Sequence, residues 1–483
     1  MKMWTTLVGA LVLIVTLTPA LAFELPDIGD PSGAAISPEQ ERRLGQAFLR
    51  QTRHLVKILD DPEVEAYIQS LGYRLAAQSN SEQQTFEFFL VEDPSINAFA
   101  APGGLIGMHT GLLLNAETES ELASVVAHEI AHVTQHHMAR TLEKASQLSL
   151  PMAAAMLGAI LLSTQNPQAG QAALAAVTAG STQYQLNFTR ENEEEADRIG
   201  MQILSGAGFD PRGMPAFFER LQLAHRLSDN PYLPEFLRTH PVTVSRIADS
   251  RNRAEQFPRQ SYKNSLNFYL ARTKIKIMSM ERSEAIRYYR DRLETKTSGD
   301  ENMARYGYVL ALTEAGEYAK ARVQVEHLLE QDSEQLAYLL AAARLGLLER
   351  DFQRALRIYS KASTLYPDYR PITLGYAKTL LAAGQPDPAR RLLRQYATHH
   401  EPDIAYYTLL AEAEGKAGSE AEAHIALAEA YYLSGETGHA RERLKFAQRS
   451  SQVDRYQRQR IESRLKQIER ELEEEKNEKR FRF

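Results

Sequence analysis

The spacing of apolar and polar positions changes several times along the chain, and each change marks an element. From Pro38 to about Leu59 the apolar residues recur with the three- and four-residue spacing of an amphipathic helix. Ser37-Pro38-Glu39-Gln40 supplies its start, with Ser at the N-cap, Pro in the first turn and Gln three residues after the cap. Asp61-Pro62 opens a second helix that runs to about Gln78. The pattern then shortens to period two. Thr85–Val91 alternates and is aromatic, so it predicts a strand, and Asn97–Ala100 and Leu105–Thr110 predict two more around Pro102-Gly103-Gly104. Thr118 and Glu121 form a capping box that predicts a helix through about Leu142, and a further helix is expected over 188–204.

Beyond about Leu266 the pattern is helical throughout, and it repeats. Ala315-Gly316-Glu317-Tyr318 with Ala321 is echoed by Leu348, Asp351, Phe352 and Ala355, then by Ala383-Gly384 with Ala389, then by Ala417-Gly418 with Ala423. Ala321, Ala355, Ala389 and Ala423 stand 34 residues apart, the period of tetratricopeptide repeats. Gly435-Glu436 with Ala440 suggests an irregular last unit, and the charged run 452–480 predicts a solvated capping helix.

Two segments fit neither pattern. Residues 148–180 are rich in Ala, Leu and Met, nearly uncharged, and broken by Asn166-Pro167 and Gly170. They are too interrupted to span a membrane and are expected either as a buried helix pair or as a lid or membrane-facing loop near the site. The first 22 residues carry one Lys, an apolar stretch from Leu7 to Leu17 and then Ala20-Leu21-Ala22, which is the plan of a cleaved export signal. The mature chain is expected to begin near Phe23 with a loop-like arm over 23–36, in a bacterial periplasm.

Composition narrows the function. Over 483 residues the net charge is −6, which argues against a nucleic-acid partner. With no cysteine in the chain, there is no disulfide framework, and any metal must be held by imidazoles and carboxylates.

The candidate chemistry sits in "VVAHEIAHVTQHH", residues 125–137. His128 and His132 are four apart, so a helix presents both imidazoles on one face. Glu129 lies beside that face, within reach of a water on the metal. The flanking Val125, Val126, Ala127, Ile130, Ala131 and Val133 predict burial, which a solvated His-rich face would not have. The reading is a zinc site, one ion per chain, with Glu129 as general base. His136 is expected as surface or outer contact and His137 as exposed. A third ligand must come from elsewhere. The acidic run "RENEEEADRIG" offers Glu191, Glu193 and Glu194, between which spacing does not choose. Asp197 lies one helical turn after Glu193 and could accept a hydrogen bond from a ligand imidazole.

H-E-x-x-H followed some sixty residues later by Glu193-x-x-x-Asp197, and then by His240-Pro241 with Arg246, resembles the M48 family of metallopeptidases. The resemblance implies that Glu193 is the third ligand and that Asp197 supports a ligand His. It implies that His240 either caps the metal from a loop or joins Arg246 in stabilising the oxyanion; Arg246 could equally be a salt-bridge partner of Asp197. It also implies that the segment around Asn97–Ala100 is an edge strand able to pair with extended substrate. Export signal, M48 domain and repeats together are similar to periplasmic protease–chaperones of that family. That similarity implies unfolded or misassembled outer-membrane proteins as substrates and the β-barrel assembly machinery as a partner of the array.

The expected fold is mainly α with a small β-sheet: signal 1–22, a zincin-like M48 domain over 23–265, an α-solenoid of repeats over 266–450, and a charged capping helix and tail over 451–483. The expected function is a periplasmic zinc endopeptidase and chaperone. Two alternatives stay open: an assembly factor with a latent protease site, and a repeat scaffold with a structural zinc.

Overall fold

The computed structural model describes residues 38–79, 84–138, 190–227, 235–295, 301–451 and 453–480. The export signal, the arm with Ser37, segment 148–180, the start of the 188–204 helix and the last three residues lie outside them.

The first part begins with α1 (Pro38–Leu55) and α2 (Pro62–Ala76), the latter capped by Asp61, whose side chain accepts from the Glu63 and Val64 amides. A three-stranded sheet follows, formed by β1 (Glu87–Val91), β2 (Ala98–Ala101) and β3 (Leu105–His109). Its order is β1-β3-β2, with β3 parallel to β1 and antiparallel to β2. β2 therefore forms an edge of the sheet. The turn from β2 to β3 runs through Gly103 and Gly104, both left-handed at φ 77° and 75°, which is why two glycines stand there.

Next come α3 (Thr110–Asn115), α4 (Glu119–Thr134), α5 (Arg190–Gly206), α6 (Gly213–Leu227), α7 (Glu235–Thr239) and α8 (Val244–Ala254). The Thr118–Glu121 capping box is formed as the sequence predicts. α4 stops at Thr134 rather than near Leu142. His136 takes φ 52°, a left-handed turn that ends the helix without the glycine that usually announces one. α4 is the central element: every residue from Glu119 to Val133 is buried. Val126, Ile130, Ile68, Leu75, Ile106, Leu204 and Phe217 form one core around it, each large side chain contributing ~1.5–3 kcal/mol on burial. A helix buried all round must pair its polar groups internally. At its N-terminal end Glu119 accepts from Tyr67 and Ser265, and Glu121 from Arg220. Its middle carries His128, Glu129 and His132.

The second part is a run of antiparallel helix pairs: α9 (Leu266–Met278), α10 (Arg282–Glu294), α11 (Glu301–Glu314), α12 (Tyr318–Gln331), α13 (Leu336–Leu348), α14 (Phe352–Leu365), α15 (Arg370–Ala382), α16 (Pro386–Tyr396), α17 (Ile404–Lys416), α18 (Glu420–Leu433) and α19 (Thr437–Arg449), closed by α20 (Arg455–Arg480). α9 shares the first core through Phe268 and Ile275. Ala321, Ala355 and Ala389 are fully buried where paired helices meet, whereas Ala423 is half-buried. The run returns to the first part: Arg370 pairs with Glu65 of α2 at 2.9 Å, and Arg50 of α1 lies 5.0 Å from the Tyr432 ring centre.

Candidate metal centre

α5 brings the acidic run to the histidines. The two helices meet at Gly200, where a Cβ would stand 3.0 Å from the His128 amide nitrogen. Glu193, Asp197 and Gly200 share one face of α5, so the close approach at Gly200 delivers both carboxylates to α4. Of the three acids that spacing left open, Glu193 alone is buried; Glu191 and Glu194 face outward.

His128, His132, Glu193 and His240 each turn one ligating atom to a common point, all within 4.8 Å of one another. The Nε2 atoms of His128 and His132 are 3.0 Å apart. Glu193 oxygens lie 3.5 Å from His128 Nε2 and 3.4 Å from His132 Nε2. His240 Nδ1 lies 3.0 Å from Glu193 Oε1 and 3.4 Å from His128 Nε2. A tetrahedral ion with ligands at ~2.0–2.1 Å has ligand–ligand edges of about 3.4 Å. The donor set of three imidazoles and one carboxylate, at that spacing, fits such an ion.

Each surrounding group is fixed in turn. His128 Nδ1 lies 3.0 Å from Asp197 Oδ1. Arg246 donates two parallel bonds to Asp197, both at 2.8 Å, and a third at 2.9 Å to the Pro241 carbonyl; its Nη1 also lies 2.8 Å from Glu193 Oε2. Arg246 is buried, with its guanidinium over Phe218, so its donors serve the two carboxylates. Of the two roles the sequence left open for it, the geometry displays the salt bridge. His240 is held by α7, where Phe236 stacks on its ring at 4.9 Å and hangs by its amide from the Ile96 carbonyl ahead of β2.

Charge follows this layout. Burial works against the charged form of His128, but the Asp197 and Glu193 carboxylates outweigh it and push its pKa up to about 10. Burial likewise opposes ionised Asp197, yet His128 and Arg246 hold its carboxyl below the usual range. Glu129 differs. Burial pushes its carboxyl up, only partly offset by His240 and His128. The Ala100 backbone amide faces its carboxylate, no side chain among the described residues donates to it, and Oε1 stands 3.5 Å from His240 Nε2. A fully buried carboxylate without a side-chain donor, beside four converging ligand atoms, is poised to accept a proton from something entering the site.

His137, expected as exposed, is fully buried. The left-handed turn at His136 swings it back under His132. Sequence reasoning also passed over Gly200, although a lone glycine inside a helical pattern is a signal of close approach.

Residues 62–254 match the model of peptidase family M48, and residues 347–413 match a tetratricopeptide repeat model. The chain is 37% identical over 476 residues to the Beta-barrel assembly-enhancing protease of Escherichia coli (strain K12), covering 97% of this chain and 96% of that protein. The chain belongs to peptidase family M48. A putative protease of the same name from Vibrio cholerae is 38% identical over 84% of each chain. The mitochondrial metalloendopeptidase OMA1 of Arabidopsis thaliana is 31% identical over 185 residues. The OMA1 match spans 38% of this chain, the Escherichia coli match nearly all of it. The chain is a metalloendopeptidase of the M48 family with C-terminal tetratricopeptide repeats.

Proposed function

We propose that this chain is a periplasmic zinc endopeptidase and chaperone that removes misassembled β-barrel proteins of the outer membrane, with its protease site capped at rest by His240. The observation that carries the reading is the four-residue cluster of His128, His132, Glu193 and His240, with the fully buried Glu129 beside it. His128, His132 and Glu193 would hold the metal, zinc by its preference for imidazole and carboxylate donors. Bound there, zinc would polarise the scissile carbonyl and acidify a water. Glu129 is placed to accept a proton from an attacking water and to return it to the leaving amine. Asp197 orients His128, and Arg246 fixes Asp197 and Glu193; both act as positioning residues. The edge strand β2 receives the extended substrate as an added strand. His240, turned to the same point as these three residues, would keep water and substrate from a metal held there, so the segment that follows α7 would have to move before cleavage.

The near full-length likeness to a protein named for assembly of β-barrels supports outer-membrane substrates and docking of the array to the assembly machinery. The export-signal pattern over 1–22 supports a periplasmic location, and the apolar, nearly uncharged composition of 148–180 supports peripheral membrane contact; among the described residues no helix is long and apolar enough to cross a membrane. The peptidase unit runs over 23–265, the array over 266–450 and the capping helix and tail over 451–483.

Degradation of casein by wild type, Glu129→Gln and His240→Ala tests the reading. The expected result is slow cleavage by wild type, faster cleavage by His240→Ala and none by Glu129→Gln. Cleavage by Glu129→Gln at the wild-type rate would overturn it. The cap also favours the second reading, an assembly factor whose protease is mostly silent. Silence from wild type and His240→Ala alike, with zinc bound, would select it.

A further inference from the structure

Both candidate ligand histidines need their second ring nitrogen held, because an imidazole that gives its Nε2 lone pair to a cation keeps its proton on Nδ1. For His128 the holder is Asp197. For His132 it is not a carboxylate. His132 Nδ1 lies 2.9 Å from His137 Nδ1, and His137 Nε2 lies 3.2 Å from Glu195 Oε2. The two rings cross at 75° with centres 4.9 Å apart, and both side chains are buried.

We propose that His137 is a positioning residue for the metal, the middle member of a Glu195–His137–His132 relay that fixes the tautomer and tilt of His132. The proposal rests on the metal reading above. Proton count sets the direction. His132 Nδ1–H donates to His137 Nδ1. Neutral His137 then carries its proton on Nε2 and donates it to the Glu195 carboxylate. The reverse arrangement, with a proton on His137 Nδ1, would set two N–H groups against each other at 2.9 Å. The backbone is bent to make this contact. A continuing helix would place His136 one turn above His132. The left-handed residue at His136 ends the helix instead and presents His137, five positions on. Non-glycine residues adopt that conformation at a cost, so a contact that requires it is part of how the site is built.

The test is zinc affinity of the full chain by chelator competition, for wild type, His137→Phe, His137→Asn and Glu195→Gln. His137→Phe fills the space without an acceptor; the Asn carbonyl can still accept from His132. The expected result is zinc affinity weakened ~10–100-fold in His137→Phe, largely restored in His137→Asn, and weakened several-fold in Glu195→Gln. The visible spectrum of the cobalt-loaded chain should shift in His137→Phe and return in His137→Asn. Affinity of His137→Phe within twofold of wild type would overturn the relay, as would an Asn variant no better than the Phe one. If His137→Phe does not fold, Glu195→Gln decides, because that side chain is 32% exposed and the change keeps its size: wild-type affinity there overturns the proposal. Wild type that takes up no zinc would instead overturn the metal reading, and this inference with it.

Discussion

From His128 to His240 the metal centre draws on three helices and the segment that follows α7, and its contacts span up to 112 residues of chain. A turn of the repeat array is closed within six. Gly316, Arg350, Gly384 and Gly418 stand 34 apart and are all left-handed, at φ 79°, 62°, 72° and 82°. After each, an amide reaches back over the turn: Glu317 to Leu312, Asp351 to Gly346, Gln385 to Leu380 and Ser419 to Glu414, at 2.8–2.9 Å. These are the bonds of a helix end with a left-handed cap. The array takes its order from such local, repeated chemistry, with small residues buried between helices. The metal centre takes its order from buried charges that stand only because partners arrive from far along the chain. Damage to the first should be shallow and local, and damage to the second deep.

That contrast can be pressed at several points. The largest effect belongs to Asp197→Ala, which leaves Arg246 a buried cation short of its bidentate partner. It should cost about 3–5 kcal/mol in the peptidase part, measured by denaturant unfolding in the presence of chelator. The matching loss in the array, Arg344→Ala, removes an exposed pair with Glu314 and should cost at most ~1 kcal/mol. Equal costs would erase the contrast. Gly200→Ala should be next, ~1–3 kcal/mol, because the added methyl meets backbone of α4 that cannot swing away. It should also weaken zinc binding by displacing Glu193. In the array, Gly384→Ala should cost about 1 kcal/mol although open space surrounds the position, since only its φ resists a side chain. The smallest effect has the opposite sign. Arg350 sits where three other repeats have glycine, so Arg350→Gly should stabilise the array by up to ~1 kcal/mol, read as a raised thermal midpoint.

The same contrast explains what the sequence disclosed. The capping box at Thr118, the strands around Pro102-Gly103-Gly104 and the 34-residue period are local signals, and the elements they predict are present. H-E-x-x-H on a helix is local too. Choosing Glu193 over Glu191 and Glu194 needed the crossing at Gly200, which no spacing rule contains. The burial of His137 depends on a left-handed His136, and a histidine there sends no stop signal of the kind glycine gives. Arg350 conceals its turn in the same way; the three glycines at equivalent positions are what disclose it. Arg246 lies 49 residues from the aspartate it holds, so its engagement with Asp197 and Glu193 became readable only when α8 was seen packed against α5.

The central claim is that His240 joins His128, His132 and Glu193 around one zinc at rest. X-ray absorption at the zinc edge, on the full chain and on His240→Ala, tests it most directly. The account predicts three imidazoles on the metal in wild type and two in His240→Ala. Two imidazoles in both proteins would contradict it.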